Sequence, residues 1–188
     1  MDRTILDHLK RERLVREGHF AYRSGCHSAV LLDRDRLLAD PDAASHMGYA
    51  LAKRFFTDHV ATVAAPSIWG AGLAQWVAYF LDPKAKVVYA TPRNGDVTIA
   101  ENLANLIAGQ RVLLVDNLVI SGETMRRFDA AIARLGADIV GHATLWNSAG
   151  PQIGGHDVYG LLNTVYATFV PPDCPLCAAG EPLTAVGY

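Results

Sequence analysis

The sequence predicts an α/β fold, a mostly parallel central sheet with helices on both faces, and three observations carry that prediction. Short, almost wholly apolar runs such as Val60 to Ala65 and Val112 to Val115 match strands buried on both sides, not the alternation of a half-exposed sheet. Helix-like segments lie between those runs, the rhythm of βα units that pair their strands in parallel. With 51% hydrophobic and 19% charged residues among 188, the chain can bury a core of single-domain size and is neither disordered nor a coiled coil.

Thr4 to Glu17 reads as a helix, with Ile5, Leu6, Leu9, Leu14 and Val15 apolar and Gly18 as its stop. A short extended segment, His19 to Asp33, follows. Asp40 before Pro41 is a helix start, and the pattern from Ala43 to Phe56 continues it. Val60 to Ala65 is a strand, Gly70 to Phe80 a helix, Val87 to Ala90 a strand, and Pro92 to Ala108 mainly loop. After a strand from Arg111 come a helix (Thr124 to Leu135) and a strand (Asp138 to Trp146). A glycine-rich loop around Gly150 to Gly160 and a last strand (Leu161 to Val170) lead into the tail. Residues 1–38 fall outside the βα rhythm, so a small N-terminal hood is expected beside the sheet. The whole of 1–188 reads as one domain, with 1–38 and 171–188 as hood and tail elements.

The formal net charge of −2 carries no electrostatic footprint for nucleic acid or a membrane surface. The basic cluster from Lys10 to Arg23 reads mostly as the solvated face of the first helix. No apolar run is long enough to predict a transmembrane helix, and the charged N-terminus lacks an apolar signal core, so a cytoplasmic protein is expected. Three cysteines are too few for a disulfide framework. Cys174 and Cys177 form a C-x-x-C, but zinc needs four ligands and no histidine lies nearby in the chain. The pair is read as a packed, proline-bounded tail loop. A reversible disulfide, or a zinc site shared by two chains of a dimer, are the alternatives.

The most informative stretch is Arg111 to Met125, RVLLVDNLVISGETM. A buried strand carries Asp116 and Asn117 to the carboxyl edge of a sheet, and the turn Ser121-Gly122-Glu123-Thr124 then opens a helix. Backbone N–H groups of such a turn, with the positive end of the helix, make a phosphate site. Asp116 and Asn117 would face the hydroxyls of a sugar attached to that phosphate. The plain alternative is an ordinary strand–turn–helix unit with Asp116 and Ser121 as turn and cap residues.

Two more loops belong at the same sheet edge, because ligands of such sheets bind beyond the carboxyl ends of the strands. Pro66-Ser67-Ile68-Trp69-Gly70-Ala71-Gly72 is built of small residues that let backbone approach an anion. A dinucleotide fingerprint is the rival reading of Gly70-Ala71-Gly72, but Gln75 stands where its third glycine belongs and no acid ends the next strand. The other loop runs from His19 to Ser28, where the guanidinium of Arg23 is suited to gripping pyrophosphate or a carboxylate in bidentate fashion. Its plain reading makes Arg23 a surface residue and His27 a hydrogen-bonded turn histidine.

These stretches resemble the type I phosphoribosyltransferases, the orotate enzymes above all. The Asp116 to Thr124 segment resembles their motif for phosphoribosyl pyrophosphate (PRPP), Ser67 to Gly70 their pyrophosphate loop, and Tyr22-Arg23-Ser24-Gly25 their aromatic-Lys-Ser-Gly segment. The run Pro171-Pro172-Asp173-Cys174-Pro175-Leu176-Cys177, then Gly180 and Pro182-Leu183, resembles the C-terminus of one bacterial and archaeal orotate subgroup. The resemblance implies transfer of ribose 5-phosphate from PRPP to a pyrimidine with release of pyrophosphate, Mg²⁺ held largely by the substrate, and a homodimer. It implies PRPP contacts for Arg23, Ser67, Ile68, Trp69, Gly70, Asp116, Asn117, Ile120, Ser121, Gly122, Glu123 and Thr124. Arg93 and Asp116 would act in catalysis, and Ser24, Leu31, Leu32, Asn147 and Ser148 would meet the base.

Three departures from the family pattern stand out. The catalytic lid reads TPRNGDVTIAEN, with Arg93 as its one cation. Leu145-Trp146-Asn147-Ser148 lacks the arginine that holds the orotate carboxylate, which suits a neutral ring better than an anion. Asn117 and Glu123 replace the usual acid and the usual small or basic residue, and Trp69 stands in place of a glycine. The sparse lid motivates a second reading, a non-catalytic relative that binds PRPP or a nucleotide and regulates a partner.

Overall fold

A computed structural model describes residues 3–93, 96–163 and 167–187. Helix α1 (Arg3–Arg11) is followed by strands β1 (Val15–Ala21) and β2 (His27–Leu32), then α2 (Arg34–Ala39), α3 (Pro41–Ala52) and β3 (Thr62–Ala65). Next come α4 (Ile68–Leu81), β4 (Lys86–Tyr89), the short pair β5 (Thr91–Arg93) and β6 (Asp96–Thr98), and β7 (Arg111–Val119). The chain ends with α5 (Glu123–Arg134), β8 (Asp138–Asn147), β9 (Gln152–Ile153), β10 (His156–Asn163), β11 (Thr168–Phe169), α6 (Pro175–Ala178) and β12 (Thr184–Ala185).

The central sheet has six strands in the order β4-β3-β7-β8-β10-β9. All neighbours pair in parallel except the edge strand β9. Strand β7 shows why its sequence is apolar throughout. Leu113 and Val115 enter a core shared with α3 and α4, whereas Val112 and Leu114 enter a second core shared with α5. A strand covered on both faces by helices has no side left for polar residues. The polar pair therefore falls where the helices end, at the carboxyl edge.

The hood is a second sheet, ordered β11-β2-β1-β12, so both ends of the chain build it. Here the sequence reading needs correction. The expected helix Thr4 to Glu17 ends at Arg11, and Val15 to Ala21 is a strand. Arg13 turns the chain with a positive φ of 55°, and β1 then pairs antiparallel with β2. The hydrogen bonds of that hairpin outweigh a local helical pattern whose apolar residues Leu14 and Val15 are buried equally well in either state. Gly18 sits within β1, at a register shift, and does not stop a helix.

Other boundaries move less. Asp40 caps α3 as expected, its carboxylate accepting from the N–H groups of Asp42 and Ala43 at 3.0 and 3.3 Å. The segment read as loop after Ala90 holds the β5–β6 hairpin, whose turn residues lie outside the described ones, and a 3-10 turn, Glu101–Leu106. The expected strand Leu161 to Val170 divides between β10 and β11, which belong to different sheets. Among the described residues no helix is long and apolar enough to cross a membrane.

Candidate active site

In the central sheet β4 lies on one side of β3 and β7 on the other, so the strand order reverses between β3 and β7. The crevice beyond the carboxyl ends at such a reversal is where doubly wound sheets bind ligands. Two predicted segments meet there. The Nδ2 group of Asn117, at the end of β7, donates to the carbonyl of Trp69 at 2.8 Å. Gly70 lies so close that a Cβ would stand 3.2 Å from Asp116 Oδ1 and 3.3 Å from the Val115 carbonyl. A glycine lets α4 begin this close to the strand tip, where a Cβ would force helix and strand apart by a few tenths of an ångström. Helix α4 starts at Ile68, earlier than the predicted Gly70, with Ser67 as its cap residue. Trp69 and Gly70 thus form its first turn.

Asn117 is fully buried, yet its Oδ1 has no hydrogen-bond partner among the described residues. A buried acceptor left unmatched is costly and marks a place where a ligand donor fits. Beside it, the carboxyl of Asp116 is pushed up to about 6, because burial disfavours the charge. The backbone N–H of Asn117, donating to Oδ1 at 2.8 Å, and the nearby charge of Arg34 offset part of that penalty.

Arg34, which the sequence reading did not single out, also lies beside these residues. It opens α2, and its guanidinium carbon lies 5.7 Å from the centre of the Trp69 ring. No local motif marks it, since its place above the crevice depends on how the hood packs. Trp69 is 59% exposed and serves as the platform for this cation.

The turn after β7 takes the predicted shape. Gly122 is left-handed (φ 77°) and leads directly into α5. A Cβ there would meet Arg126 Nη1 at 2.8 Å and Ala149 Cβ at 2.9 Å. Ser121 Oγ accepts from the Glu123 N–H at 3.4 Å, and Arg126 donates to the Ser121 carbonyl at 2.9 Å. Ser121 and Thr124 are exposed. Glu123 pairs with Arg127 one turn along α5, so its charge is compensated on the helix surface.

The remaining candidates separate. Phe20, Tyr22 and Leu31 of the hood pack with Leu118 and Ile120, which joins the hood to the exit of β7. Arg23 and Ser24 are exposed in the turn between β1 and β2, closed by the Gly25 N–H to Tyr22 carbonyl bond at 2.9 Å. Leu32 is fully buried in the main core, so it backs the site and cannot line it. The Asn147 amide nitrogen donates to the Gly150 carbonyl at 2.7 Å and its oxygen accepts from the Ala149 N–H at 3.0 Å. These bonds shape the loop after β8 and engage both ends of the amide within it. Ser148 Oγ accepts from the Trp146 indole at 2.9 Å. The side chain of Arg93 lies outside the described residues.

The histidines that the tail cysteines lack in sequence are supplied by the fold. His19 and His27 of the hood meet Cys174 and Cys177, and their four ligand atoms all lie within 4.8 Å of one another.

Comparison with known proteins agrees with this geometry. The family model of the phosphoribosyl transferase domain matches residues 33–164. An orotate phosphoribosyltransferase of Thermus thermophilus is 33% identical over 183 residues, covering 97% of this chain and 99% of its own. The orotate phosphoribosyltransferase of Thermotoga maritima is 28% identical and covers 97% of each. In fold, the chain is similar to the orotate phosphoribosyltransferase of Aeropyrum pernix, with a TM-score of 0.63 and 21% identity over 85% of this chain and 94% of that one. Sheet order, crevice, glycine-lined helix start and sequence relatives agree: the chain belongs to the phosphoribosyl transferase family.

Proposed function

We propose that the chain transfers ribose 5-phosphate from PRPP to a pyrimidine base, orotate or a close relative, and releases pyrophosphate. The observation that carries this reading is the orphaned Oδ1 of Asn117 beside the Asp116 carboxylate, at the reversal of strand order. Two adjacent acceptors fit the two ribose hydroxyls of PRPP. The reaction breaks the bond between the anomeric carbon and pyrophosphate and forms one to a base nitrogen. Its transition state carries positive charge on the sugar, and a carboxylate near the ribose stabilises it.

The 5-phosphate is assigned to the turn Ile120 to Thr124, through backbone N–H groups and the hydroxyls of Ser121 and Thr124. The left-handed Gly122 and the start of α5 support that role. Pyrophosphate is assigned to Ser67 to Gly70 at the start of α4, with Arg34 and Arg23 as cations and Arg93 closing from the lid. Ser24, Leu31 and Ser148 are assigned to the base. Magnesium, bound with PRPP, would neutralise pyrophosphate. One carboxylate and one free amide oxygen suit an ion carried mainly by substrate oxygens and water.

A homodimer belongs to the same reading. Tyr49, Phe56 and Tyr79 are 45%, 48% and 59% exposed on α3, its C-terminal extension and α4, an apolar face that a second copy would cover. Sedimentation of the purified protein tests it. A monomer at micromolar concentration would refute it.

The deciding assay follows pyrophosphate and nucleotide from PRPP and Mg²⁺ with orotate, uracil and other bases offered singly. Equimolar nucleotide and pyrophosphate with a pyrimidine is the expected result. No release with any base would overturn the reading.

A further inference from the structure

The geometry points to a structural zinc site in this chain, held tetrahedrally by His19 Nε2, His27 Nδ1, Cys174 Sγ and Cys177 Sγ. His19 Nε2 lies 3.1 Å from His27 Nδ1, 3.5 Å from Cys174 Sγ and 3.6 Å from Cys177 Sγ, and Cys177 Sγ lies 3.2 Å from His27 Nδ1. Zinc bonds of about 2.3 Å to sulfur and about 2.0 Å to nitrogen give tetrahedral edges of roughly 3.3 Å between nitrogens and roughly 3.5 Å between nitrogen and sulfur. The four separations lie within about 0.3 Å of those edges.

Hydrogen bonding alone does not account for the cluster. His19 Nδ1 lies 2.9 Å from the carbonyl of Glu181, which can only accept, so Nδ1 donates there and in the neutral ring Nε2 is a bare lone pair. Three groups converge on that one lone pair. A cation at the centre uses all four donors at once, and the Glu181 carbonyl then orients its imidazole as outer partners of zinc ligands do. Two thiolates and two neutral imidazoles also balance the charge of Zn²⁺, so His19, His27 and Cys174 can be buried without an unpaired charge. The other histidine cluster differs. Asp129 Oδ2 accepts from His142 at 2.9 Å and from His156 at 2.8 Å, so ordinary hydrogen bonds to one carboxylate oxygen hold those two rings together.

The fold explains what the metal would do. Strand β11 pairs with β2 at one edge of the hood and β12 pairs with β1 on the far side. The connection 170–183 therefore straps across the sheet. Its ends are two-residue strands, and Cys174 is its one buried residue. So little apolar burial cannot hold a strap by the hydrophobic effect. A register shift between Glu17 and Phe20 turns the consecutive residues His19 and Phe20 both inward. A bulge of this kind re-aims a side chain, here His19 toward the cysteines. A metal closing the chain ends onto the hood contributes its binding energy to folding.

The test is elemental analysis of the full-length protein purified without chelator, with Co²⁺ exchanged for the native metal as the optical probe. About one zinc per chain is expected for a single four-ligand site, with tetrahedral d–d bands and thiolate charge transfer in the cobalt form. Cys177→Ser, at an exposed position, should lose the metal and the charge-transfer band while circular dichroism stays native. Proteolysis should then cut within 170–187 faster than in the parent. Metal-free protein that takes up neither Zn²⁺ nor Co²⁺, or a Cys174–Cys177 disulfide under reducing purification, would overturn the assignment. So would full metal content in Cys177→Ser.

Discussion

Asn117 on β7 and Trp69 on α4 are joined by a single hydrogen bond, from the Asn117 Nδ2 to the Trp69 carbonyl at 2.8 Å. It ties together, across the reversal of strand order, the two segments proposed to hold the phosphate groups, and it leaves Oδ1 without a partner among the described residues. Asn117→Asp restores the family's usual acid but removes the donor and sets two carboxylates side by side. A stability loss of about 1–3 kcal/mol at neutral pH is expected, regained as pH falls toward the carboxylate range. Thermal unfolding of the variant from pH 5 to 8 checks this, and an unchanged midpoint at pH 7 counts against the clamp.

Asp116 makes a pH prediction with a definite sign. Its folded value, about 6, lies above the 3.8 of an ordinary aspartate, so the native state binds the extra proton between the two. This carboxyl therefore lowers stability as pH rises through that window, and the loss persists above it. Asp116→Asn removes the burden and should stabilise the free protein at pH 7 by about 1–3 kcal/mol. PRPP binding should move the other way, strengthening as the carboxylate forms near pH 6 in the parent but not through this group in the variant. Calorimetric titrations at pH 5.5 and 7.5, corrected for ionisation of PRPP itself, separate the two effects.

Arg34 stands close enough to Asp116 to lower its proton affinity. Arg34→Ala should raise the pH at which PRPP binding strengthens and increase the KM for PRPP more than it lowers kcat. A pH profile superimposable on the parent's would show that the cation does not act on this carboxyl.

Gly70→Ala probes the contact of α4 with the strand tip. The added methyl would sit 3.1 Å from Ala65 Cβ and 3.2 Å from Asp116 Oδ1, so helix and carboxylate must separate by a few tenths of an ångström. We expect a modest stability change of about 1 kcal/mol but a loss of kcat/KM of at least about tenfold, since positioning dominates such sites. Activity within twofold of the parent would contradict the assigned geometry.

Asp129 is buried between two histidines, and burial holds His142 below the usual imidazole range, hence neutral. Asp129→Ala removes the shared acceptor of both rings and should destabilise the chain by about 3 kcal/mol, with activity of the folded fraction retained. Denaturant unfolding with parallel activity measurements tests both halves of that statement.

The sequence by itself determined the elements whose environment is local or uniform. Val112 to Val115 had to be a strand covered on both faces, Asp40-Pro41 had to start a helix, and a strand delivering Asp116 and Asn117 to a Ser-Gly-Glu-Thr turn had to present backbone N–H groups at a helix start. Long-range pairing decided what those patterns cannot express. Leu14 and Val15 satisfy a helix and a buried strand alike, and the partner strand β2 settled the matter. Arg34 reached the crevice and Leu32 sank into the core because the hood packs on the end of β7, whereas Asn147 was drawn into its own loop by bonds to Ala149 and Gly150. The cysteines found their histidines 150 to 158 residues away because β11 and β12 close the C-terminal tail onto the N-terminal hairpin. Side-chain chemistry is written along the chain, but proximity between distant segments arises only when hydrogen-bonded sheets and shared cores bring them together.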